Sequence, residues 1–512
     1  MKVVYGGLVF QELVDVNGII KVAFYDGHNE GMKGNPLCFA DIGDFDKKED
    51  PLMYRFVNAA CWDFPTRINP IEYSDGRIID YQDWEQIRDI FRMIAARITR
   101  ILYRSMYFTK EDEYIAICVN FIFNTYFKDV FEYAPRIILT GSTISVKSRL
   151  QAIMGHLCYR GYYSVRPTAA TLFRMIHLFD ITPIIDEVQN LHSQSKSDML
   201  DIFYNGDKKG CKIPRINPNT LAPESFNIYG PMMISNKAGG PLTEDTKNRA
   251  FTIKMLGNTS KSLDVVLDVD ELTSIRNDLY SLFALYRIHP ESFRLKELFI
   301  ESIEHISGTD GNRICDYLRA NPYAKPLENR SKDIATTYYP LARLTSTEEE
   351  ILKILTEEQQ YSAERLKETM EAHMFRSFTK CSWDIYHTNP LATYDQIIKG
   401  VLTKTITDTY NEYMRETGNV INPTIDGIKS NKVTRMMRDM GFSIRKGNGN
   451  QSYIDWTPET DNAIMVNLGK FGTDEEKKMI SLIKKRGVSR DGTFKNNSDL
   501  KNNSKTTGSA SA

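Results

Sequence analysis

Two segments of this 512-residue chain have residue types and spacings that could bind and hydrolyse a nucleoside triphosphate. The first segment runs from Arg136 to Ser148 and reads RIILTGSTISVKS, an apolar stretch followed by a Gly/Ser-rich turn and a Lys-Ser pair. In the pattern G-x-x-x-x-G-K-[ST], backbone N–H groups cradle phosphate oxygens, the Lys reaches the β/γ-phosphates and the hydroxyl holds Mg²⁺. We therefore assign nucleotide binding to Gly141, Ser142, Thr143, Ile144, Ser145, Val146, Lys147 and Ser148.

This loop departs from the pattern at one position. Val146 stands where a second glycine is expected, although glycine is usual where the backbone must approach a phosphate closely. Taken alone, the segment is also compatible with an ordinary Gly/Ser turn before a helix, so the prediction depends on a second element.

That second element is Pro183-Ile-Ile-Asp-Glu187, an apolar strand that ends in two adjacent acids. A strand tip at this point would bring the first carboxylate to the metal and the second to the attacking water. We assign Mg²⁺ binding to Ser148 and Asp186 and water activation to Glu187, with ATP and Mg²⁺ as cofactors. The alternative is that one of the acids caps the next helix.

Two later residues fit the same chemistry. Asn236 ends the apolar segment 226–236 and could position the water or sense the γ-phosphate. Arg249 precedes the apolar strand 250–255 and could reach the nucleotide of a neighbouring subunit, because arginine fingers can act in trans. The alternatives are a turn residue for Asn236 and a surface ion pair for Arg249.

The elements around these residues predict an α/β fold. Residues 136–256 alternate between strand-like and helix-like patterns, which favours a mostly parallel central sheet whose ligands bind at the carboxyl ends of the strands. A helical lid and connector should follow this core. The predicted ranges are 1–105 for an N-terminal α+β domain, 106–260 for the ATPase core, 261–395 for the lid and connector, 396–470 for a winged-helix-like domain and 471–512 for a polar tail.

The order of these motifs resembles AAA+ ATPases, and more narrowly the superfamily 3 and minichromosome-maintenance-like helicases of plasmids, viruses and genomic islands. The segments that carry this resemblance are 125–135, 166–174, 185–190, 204–210 and the regions around Asn236 and Arg249. Loops of the minichromosome-maintenance type also lack the second glycine. The resemblance implies a ring, typically a hexamer, that hydrolyses ATP between subunits and moves DNA through its pore.

Helicases of this kind insert a hairpin into the pore, and Asp207–Arg215 lies at the corresponding place. A Lys at the hairpin tip would then follow the phosphate backbone without reading bases. The DNA-binding candidates of this segment are Lys208, Lys209, Lys212 and Arg215. The alternative is a solvated basic loop.

A second group of basic residues lies near the C-terminus. A helical segment at 430–440, Gly441 and a hairpin around Gly447-Asn-Gly449 follow the order of a winged helix. The predicted recognition helix offers Lys432, Arg435 and Arg438, and the predicted wing offers Arg445 and Lys446. Winged helices also dock onto proteins, which is the alternative.

Composition sets limits on partners and location. The formal net charge is −1, so contacts with single- or double-stranded DNA must come from local patches. Seven scattered Cys without a C-x-x-C pair indicate neither a zinc ribbon nor a disulfide framework. No apolar stretch is long enough to span a bilayer, and we expect a cytoplasmic protein without a membrane partner.

These observations lead to three hypotheses. The first is an ATP-driven DNA helicase or translocase, a replicative helicase of a mobile genetic element. The second is an ATP-switched initiator or regulator that binds DNA and hydrolyses ATP slowly, a possibility that Val146 favours. The third is a scaffold whose degenerate loop binds no nucleotide.

Overall fold

The computed structural model describes residues 8–27, 35–41, 63–141, 147–165, 167–186, 193–217, 219–237, 249–255, 266–307, 330–366, 370–416, 429–447 and 451–488. The chain divides into two compact units, residues 1–359 and 360–512. None of the helices within these ranges is both long and apolar enough to cross a membrane. The assignment of shorter ranges to separate functional domains stays a prediction.

The first unit is built on a five-stranded parallel sheet. Its strands are β4 (Arg136–Gly141), β5 (Gly161–Val165), β6 (Thr182–Asp186), β9 (Met232–Lys237) and β10 (Phe251–Met255). Their spatial order is β10-β4-β9-β6-β5. Purely parallel sheets are buried on both faces, and the inner strands here carry the apolar runs Ile-Ile-Leu, Pro-Ile-Ile and Met-Met-Ile that such burial requires. The structure therefore confirms the α/β class with a parallel central sheet.

Helices cover both faces of this sheet. Ile137, Leu139 and Ile184 pack on the face covered by α1 (Trp84–Ser105), α2 (Glu111–Phe127) and α3 (Lys147–Leu157). Ile138, Ile185 and Ile234 pack on the other face against α4 (Ala169–Phe179) and α5 (Ser193–Asn205). Successive residues of a strand point to opposite faces, so each strand contributes alternately to the two cores. We call these the α3 face and the α4 face.

The N-terminal residues form a small antiparallel sheet of β1 (Phe10–Val16), β2 (Ile19–Tyr25) and β3 (Cys38–Asp41). It is fastened to the core by Glu12, whose buried carboxylate accepts hydrogen bonds from the hydroxyl of Tyr159 at 2.9 Å and the guanidinium of Arg160 at 2.9 Å. Arg160 immediately precedes β5, so this attachment lies at the amino edge of the large sheet.

Further helices complete the first unit. They are α6 (Val269–Ile288), α7 (Leu295–Ser307), α8 (Arg330–Thr345) and α9 (Glu348–Leu366), the last of which runs across the unit boundary. A hairpin of β7 (Lys212–Ile216) and β8 (Pro223–Asn227) is inserted between α5 and β9. Helices α1, α2, α6 and α8 share one apolar core with the α3 face.

The second unit is a helical domain with a short hairpin. Its elements are α10 (Met370–Thr388), α11 (Tyr394–Lys399), α12 (Thr403–Glu416), α13 (Ser430–Asp439), β11 (Ile444–Lys446), β12 (Ser452–Ile454), α14 (Pro458–Phe471) and α15 (Asp474–Lys484). Leu402 bridges Tyr453 of β12, so the short segment between α11 and α12 adds to the β11–β12 pair. Helix α10 packs into the same core as α11 and α14.

Candidate functional site

The sheet topology creates a crevice at the carboxyl ends of β4 and β9. The chain leaves β4 toward β5, beyond β9 and β6, whereas it leaves β9 toward β10 on the opposite side of β4. Adjacent strands whose connections depart in opposite directions form the switch point at which ligands of parallel sheets bind. Two predicted site residues, Gly141 and Asn236, end or nearly end these two strands.

Lys147 and Ser148 begin α3 directly above this crevice. The Lys147 ammonium donates a hydrogen bond to the Gly141 carbonyl at 2.8 Å, and its side chain is partly buried. The helix N-terminus directs its N–H groups and its positive dipole end toward the same space, which favours an anion. The predicted loop residues Ser142, Thr143, Ile144, Ser145 and Val146 lie outside the described residues.

Asp186 is the centre of the polar contacts in this crevice. The Ser148 hydroxyl lies 3.5 Å from its Oδ2, which brings together the two residues that we predicted as Mg²⁺ ligands. The Tyr163 hydroxyl donates to the same Oδ2 at 3.3 Å, and the Ser235 hydroxyl donates to Oδ1. The carboxylate is therefore ordered on both oxygens, with 9% of the residue exposed.

Strand register explains why these residues meet. Ile184 pairs with Met233 and Ile185 with Ile234, so Asp186 and Ser235 are level with each other. Both side chains follow the period-2 alternation onto the α3 face, where Ser148 begins α3. Tyr163 pairs with Ile184 and therefore reaches Asp186 diagonally, a separation that an aromatic side chain can span.

A side-chain brace holds helix α3 against β6. The buried amide of Gln151 donates from Nε2 to the carbonyl of Ile185 at 3.2 Å. Gln151 lies one turn after Ser148, and Ile185 precedes Asp186, so this bond fixes the helix start relative to the strand tip.

The residues present fit a magnesium ion. Mg²⁺ prefers oxygen ligands at about 2.0–2.1 Å, takes one or two from the protein and completes its octahedron with phosphates and water, so that neighbouring ligands lie about 3 Å apart. Ser148 Oγ and Asp186 Oδ2, 3.5 Å apart, match this donor set after a small closure. The described residues contain no cluster of three or more His, Cys, Asp or Glu side chains that could hold a metal by themselves.

Asn236 is buried beside this centre with an unused acceptor. It is 2% exposed, and within the described part of the chain its Oδ1 has no hydrogen-bond partner. A buried amide oxygen normally accepts a hydrogen bond from protein or ordered water. Because Asn236 follows Ser235, its side chain alternates to the α4 face. Glu187, the predicted water-activating residue, lies outside the described residues.

Arg249 lies at the opposite edge of the sheet. It lies two residues before the start of β10 and pairs with Asp207 at 3.2 Å, while its guanidinium lies 3.6 Å from the ring centre of Tyr204. The six residues of β4 separate this edge from Gly141 by about 20 Å at 3.3 Å per residue. Within one chain, the Arg249 side chain therefore cannot reach the carboxyl ends of β4 and β9.

The amino edge is also where Arg136 is buried. Its guanidinium donates to the carbonyls of Phe203 at 2.8 Å, of Pro135 at 3.3 Å and of Gly230. Burial lowers the pKa of Arg136 to about 10. These bonds join the start of β4, the end of α5 and the segment before β9. Gly206 packs closely in the same region, because a Cβ added to it would lie 2.4 Å from the Ile228 carbonyl oxygen.

The lysines of the β7–β8 hairpin do not lie at its tip, where the sequence analysis placed one. Lys208 and Lys209 lie at its base, where Lys208 bridges Tyr133 and the Lys209 ammonium donates to the Asp129 carbonyl at 2.8 Å. The tip instead contains Asn217 and residues 219–222, and the Leu221 N–H donates to the Asn217 carbonyl at 2.8 Å. The turn signal was Asn217-Pro-Asn219, and it places no lysine at the tip.

The hairpin nevertheless presents basic residues to solvent. Lys208, Lys209, Lys212 and Arg215 are all exposed. The Arg215 guanidinium lies 5.3 Å from the centre of the Phe173 ring, and the Phe226 ring packs against the same ring at 4.8 Å with a tilt of 55°, so the hairpin is held along α4. Ile216 and Leu221 near the tip are 62% and 77% exposed.

In the second unit, α13 presents its predicted cations on one face. Lys432, Arg435 and Arg438 are exposed, whereas Val433 and Met437 between them are buried. Residues three apart share a helix face, so the three charges form one stripe, which we call the α13 stripe.

The two predicted wing cations differ. Lys446 is exposed, but Arg445 is only half-exposed and is engaged within its own unit. Its guanidinium donates to the Lys399 carbonyl at 3.2 Å, lies 3.8 Å from the Asp455 carboxylate and covers the Tyr453 ring at 4.9 Å. Arg445 is therefore held within its own unit, and its contact with DNA stays a prediction.

Comparisons with known proteins identify similar structures but no family. No protein-family model matches the chain, and no curated protein matches it. The C-terminal region of NrS-1 is 11% identical, with a TM-score of 0.32 over 87% of this chain and 97% of that one. The SCCmec type IV protein Cch, an active helicase, is 11% identical, with a TM-score of 0.33 over 89% of this chain and 94% of its own. At this level of likeness, the function has to be argued from the site itself.

Proposed function

We propose that this protein is an ATP hydrolase whose active site is the crevice at the carboxyl ends of β4 and β9. The observation that carries the proposal is the meeting of Lys147, Ser148 and Asp186 there. Lys147 and Ser148 start a helix above β4, and the Ser148 hydroxyl faces the carboxylate of Asp186, which ends β6. A cation for phosphate, a hydroxyl and a carboxylate for Mg²⁺, and a helix N-terminus form a triphosphate site.

The residues of this chain would divide the work as follows. Bound Mg²⁺ would neutralise the charge that develops on the phosphates, and Ser148 and Asp186 would hold it. Residues 141–148 would cradle the phosphates, and Glu187 would orient the attacking water. Asn236 would accept a hydrogen bond from that water through its unsatisfied Oδ1. Burial of Asn236 keeps this acceptor from being satisfied by bulk solvent.

We further propose that hydrolysis takes place between the subunits of a ring, with Arg249 of one subunit acting at the site of the next. About 20 Å of strand separates Arg249 from the nucleotide site of its own chain, so any contact with a γ-phosphate must be made in trans. An arginine finger of this kind stabilises the transition state by neutralising charge. In a closed ring, a hexamer in the proposal, each chain would supply one site and one finger.

The proposed substrate of the motor is DNA. The exposed cations of the hairpin would contact backbone phosphates through Lys208, Lys209, Lys212 and Arg215. The unit of α11, α12, α13 and the β11–β12 hairpin has the element order of a winged helix, and the α13 stripe would lie along a duplex with Lys446 at its wing. Contacts to phosphate give affinity without base specificity. We propose that such an enzyme acts as a cytoplasmic helicase or translocase and that it replicates a mobile genetic element.

A second candidate function is favoured by Val146. A bulkier residue in place of glycine can slow hydrolysis without preventing nucleotide binding. The protein would then be an ATP-switched initiator or regulator, which assembles on DNA when ATP is bound.

Steady-state ATP hydrolysis by wild type and Glu187→Gln, with and without single-stranded DNA, tests these proposals. The motor requires that wild type turns over, that DNA raises the rate and that Glu187→Gln binds ATP without hydrolysing it. Binding by both proteins with negligible turnover by either would favour the switch. Absence of binding by wild type would refute both.

A further inference from the structure

The Asp186 carboxylate has two hydroxyl neighbours outside the phosphate loop and the metal-binding pair. Ser235 donates to Oδ1 from β9, and Tyr163 donates to Oδ2 at 3.3 Å from β5, at the edge of the sheet. Neither residue is assigned a role in the proposed reaction. Tyr163 is the more informative of the two because it touches the same oxygen that faces Ser148.

We propose that Tyr163 is a positioning residue for the metal-binding carboxylate, and that its hydroxyl fixes the orientation of Asp186 toward Mg²⁺. This inference rests on the proposed function, since it concerns the same metal site. Tyr163 itself would touch neither the nucleotide nor the water.

The argument begins with the acceptor capacity of the carboxylate. An ionised carboxylate has two oxygens with about four lone-pair positions. Ser235 donates to Oδ1, whereas Tyr163 and Ser148 approach Oδ2 from β5 and from the start of α3. Two donors on different oxygens fix both the rotation and the tilt of the group, whereas one donor would fix neither completely.

The position of Tyr163 supports a role for its hydroxyl beyond packing. Its side-chain base contacts helix α3 at Gly155, where an added Cβ would lie 3.3 Å from the Tyr163 Cβ. The residue is 39% exposed, so its hydroxyl could be satisfied by solvent. The hydroxyl instead reaches a carboxylate that is 9% exposed, across the diagonal between two strands.

Outer hydrogen-bond partners of metal ligands have a measurable effect. Their loss typically costs about 10–100-fold in metal affinity or activity, because the ligand must then be ordered when the metal binds. We expect Tyr163→Phe, which removes the hydroxyl and keeps the ring, to weaken the metal site by this factor. Ser235→Ala should have an effect of the same kind through the other oxygen.

The test measures metal binding directly. Mn²⁺ is titrated into the full-length protein with a non-hydrolysable ATP analogue, and free Mn²⁺ is followed by electron paramagnetic resonance. In parallel, the Mg²⁺ dependence of binding is followed with a fluorescent ATP analogue. Tyr162→Phe is the matched control, because it also removes a tyrosine hydroxyl from β5, but from the neighbouring residue, whose side chain lies on the opposite face of the sheet.

The inference predicts a metal dissociation constant about 10–100-fold higher for Tyr163→Phe, an unchanged value for Tyr162→Phe, and equal thermal unfolding of all three proteins without metal. It is overturned if Tyr163→Phe titrates like wild type, or if Tyr162→Phe weakens the metal equally. A wild type that binds ATP with no dependence on Mg²⁺ or Mn²⁺ would instead overturn the proposed function itself. The two failures are therefore distinguishable.

Discussion

Arg249 can be tested as a trans-acting residue by separating its catalytic effect from its ion pair with Asp207. The pair joins a guanidinium whose side chain is 24% exposed to a carboxylate that is 8% exposed, at 3.2 Å. Removing one partner of a buried ion pair costs about 3–5 kcal/mol because the other charge stays buried. Since Arg249 is partly exposed, we take the lower end, about 3 kcal/mol, for Arg249→Ala.

The catalytic effect of an arginine finger is larger and has a different dependence on Asp207. Loss of such a residue lowers turnover by about 10³–10⁵-fold, which corresponds to about 4–7 kcal/mol in the transition state. Asp207→Asn removes the charge that retains Arg249 and should leave turnover intact. In the double variant neither member of the Arg249–Asp207 pair keeps a charge without the other, so it should regain part of the lost stability and none of the lost turnover.

Urea unfolding and steady-state ATPase rates of the four proteins decide the matter. The trans role requires that stability and turnover separate in the double variant. Mixing Arg249→Ala with Glu187→Gln subunits should also restore some hydrolysis, because each supplies what the other lacks. If turnover returns together with stability in the double variant, Arg249 is a structural residue and the reasoning about its role is refuted.

Three further predictions concern other parts of the chain. Alanine at all three positions of the α13 stripe should reduce the slope of log K against log salt for duplex DNA by roughly 2–3, at about 0.9 per phosphate contact, whereas Lys478→Ala should leave it unchanged. Glu12→Ala should destabilise the first unit by about 3–5 kcal/mol in urea unfolding, because Arg160 would stay buried without its partner. The hydrogen bond from His156 lowers the pKa of Asp63 below its ordinary 3.8, so this carboxylate stabilises the fold above that pH and the stabilisation is lost as the pH falls through the lowered pKa. The stabilities of wild type and Asp63→Asn should therefore converge once the pH falls below the lowered pKa of Asp63.

The parts of the site that sequence could predict are those defined by local patterns. The segment from Gly141 to Ser148 and the apolar strand that ends at Asp186 can each be recognised from the sequence alone. The carboxyl ends of parallel strands lie at the same edge of a sheet. The contact between Ser148 and Asp186 follows from those two facts. The roles of these residues stay predictions.

The parts that sequence could not predict depend on register between distant strands. Ser235 and Asn236 are adjacent polar residues at one strand end, and only the pairing of β6 with β9 decides which of them faces Asp186. Tyr163 reaches Asp186 through a pairing of the edge strand with β6. A shift of one residue in either pairing would exchange the faces.

The helices were predicted where amphipathic periodicity was strong. Helix α1 carries Ile and Phe residues at helical spacing along its buried face and is capped by Asp83. Helix α2 ends at Phe127, and a short 3₁₀ turn follows at Lys128–Val130. The tip of the β7–β8 hairpin lies at the Asn217-Pro-Asn219 turn signal and not at the lysines before it.

The buried Arg136 anchors the N-terminal end of β4. Its guanidinium donates three hydrogen bonds to carbonyls, and the Ala134 N–H donates to the Asp207 carbonyl at 2.6 Å, which joins this end of the strand to the base of the hairpin. The head of the same strand ends at Gly141, beneath the predicted phosphate loop. A close-packed interior has low compressibility and transmits strain, so we expect β4 to move as a rigid element. A displacement of its C-terminal end would then shift its N-terminal end, and with it the base of the hairpin, by a similar amount.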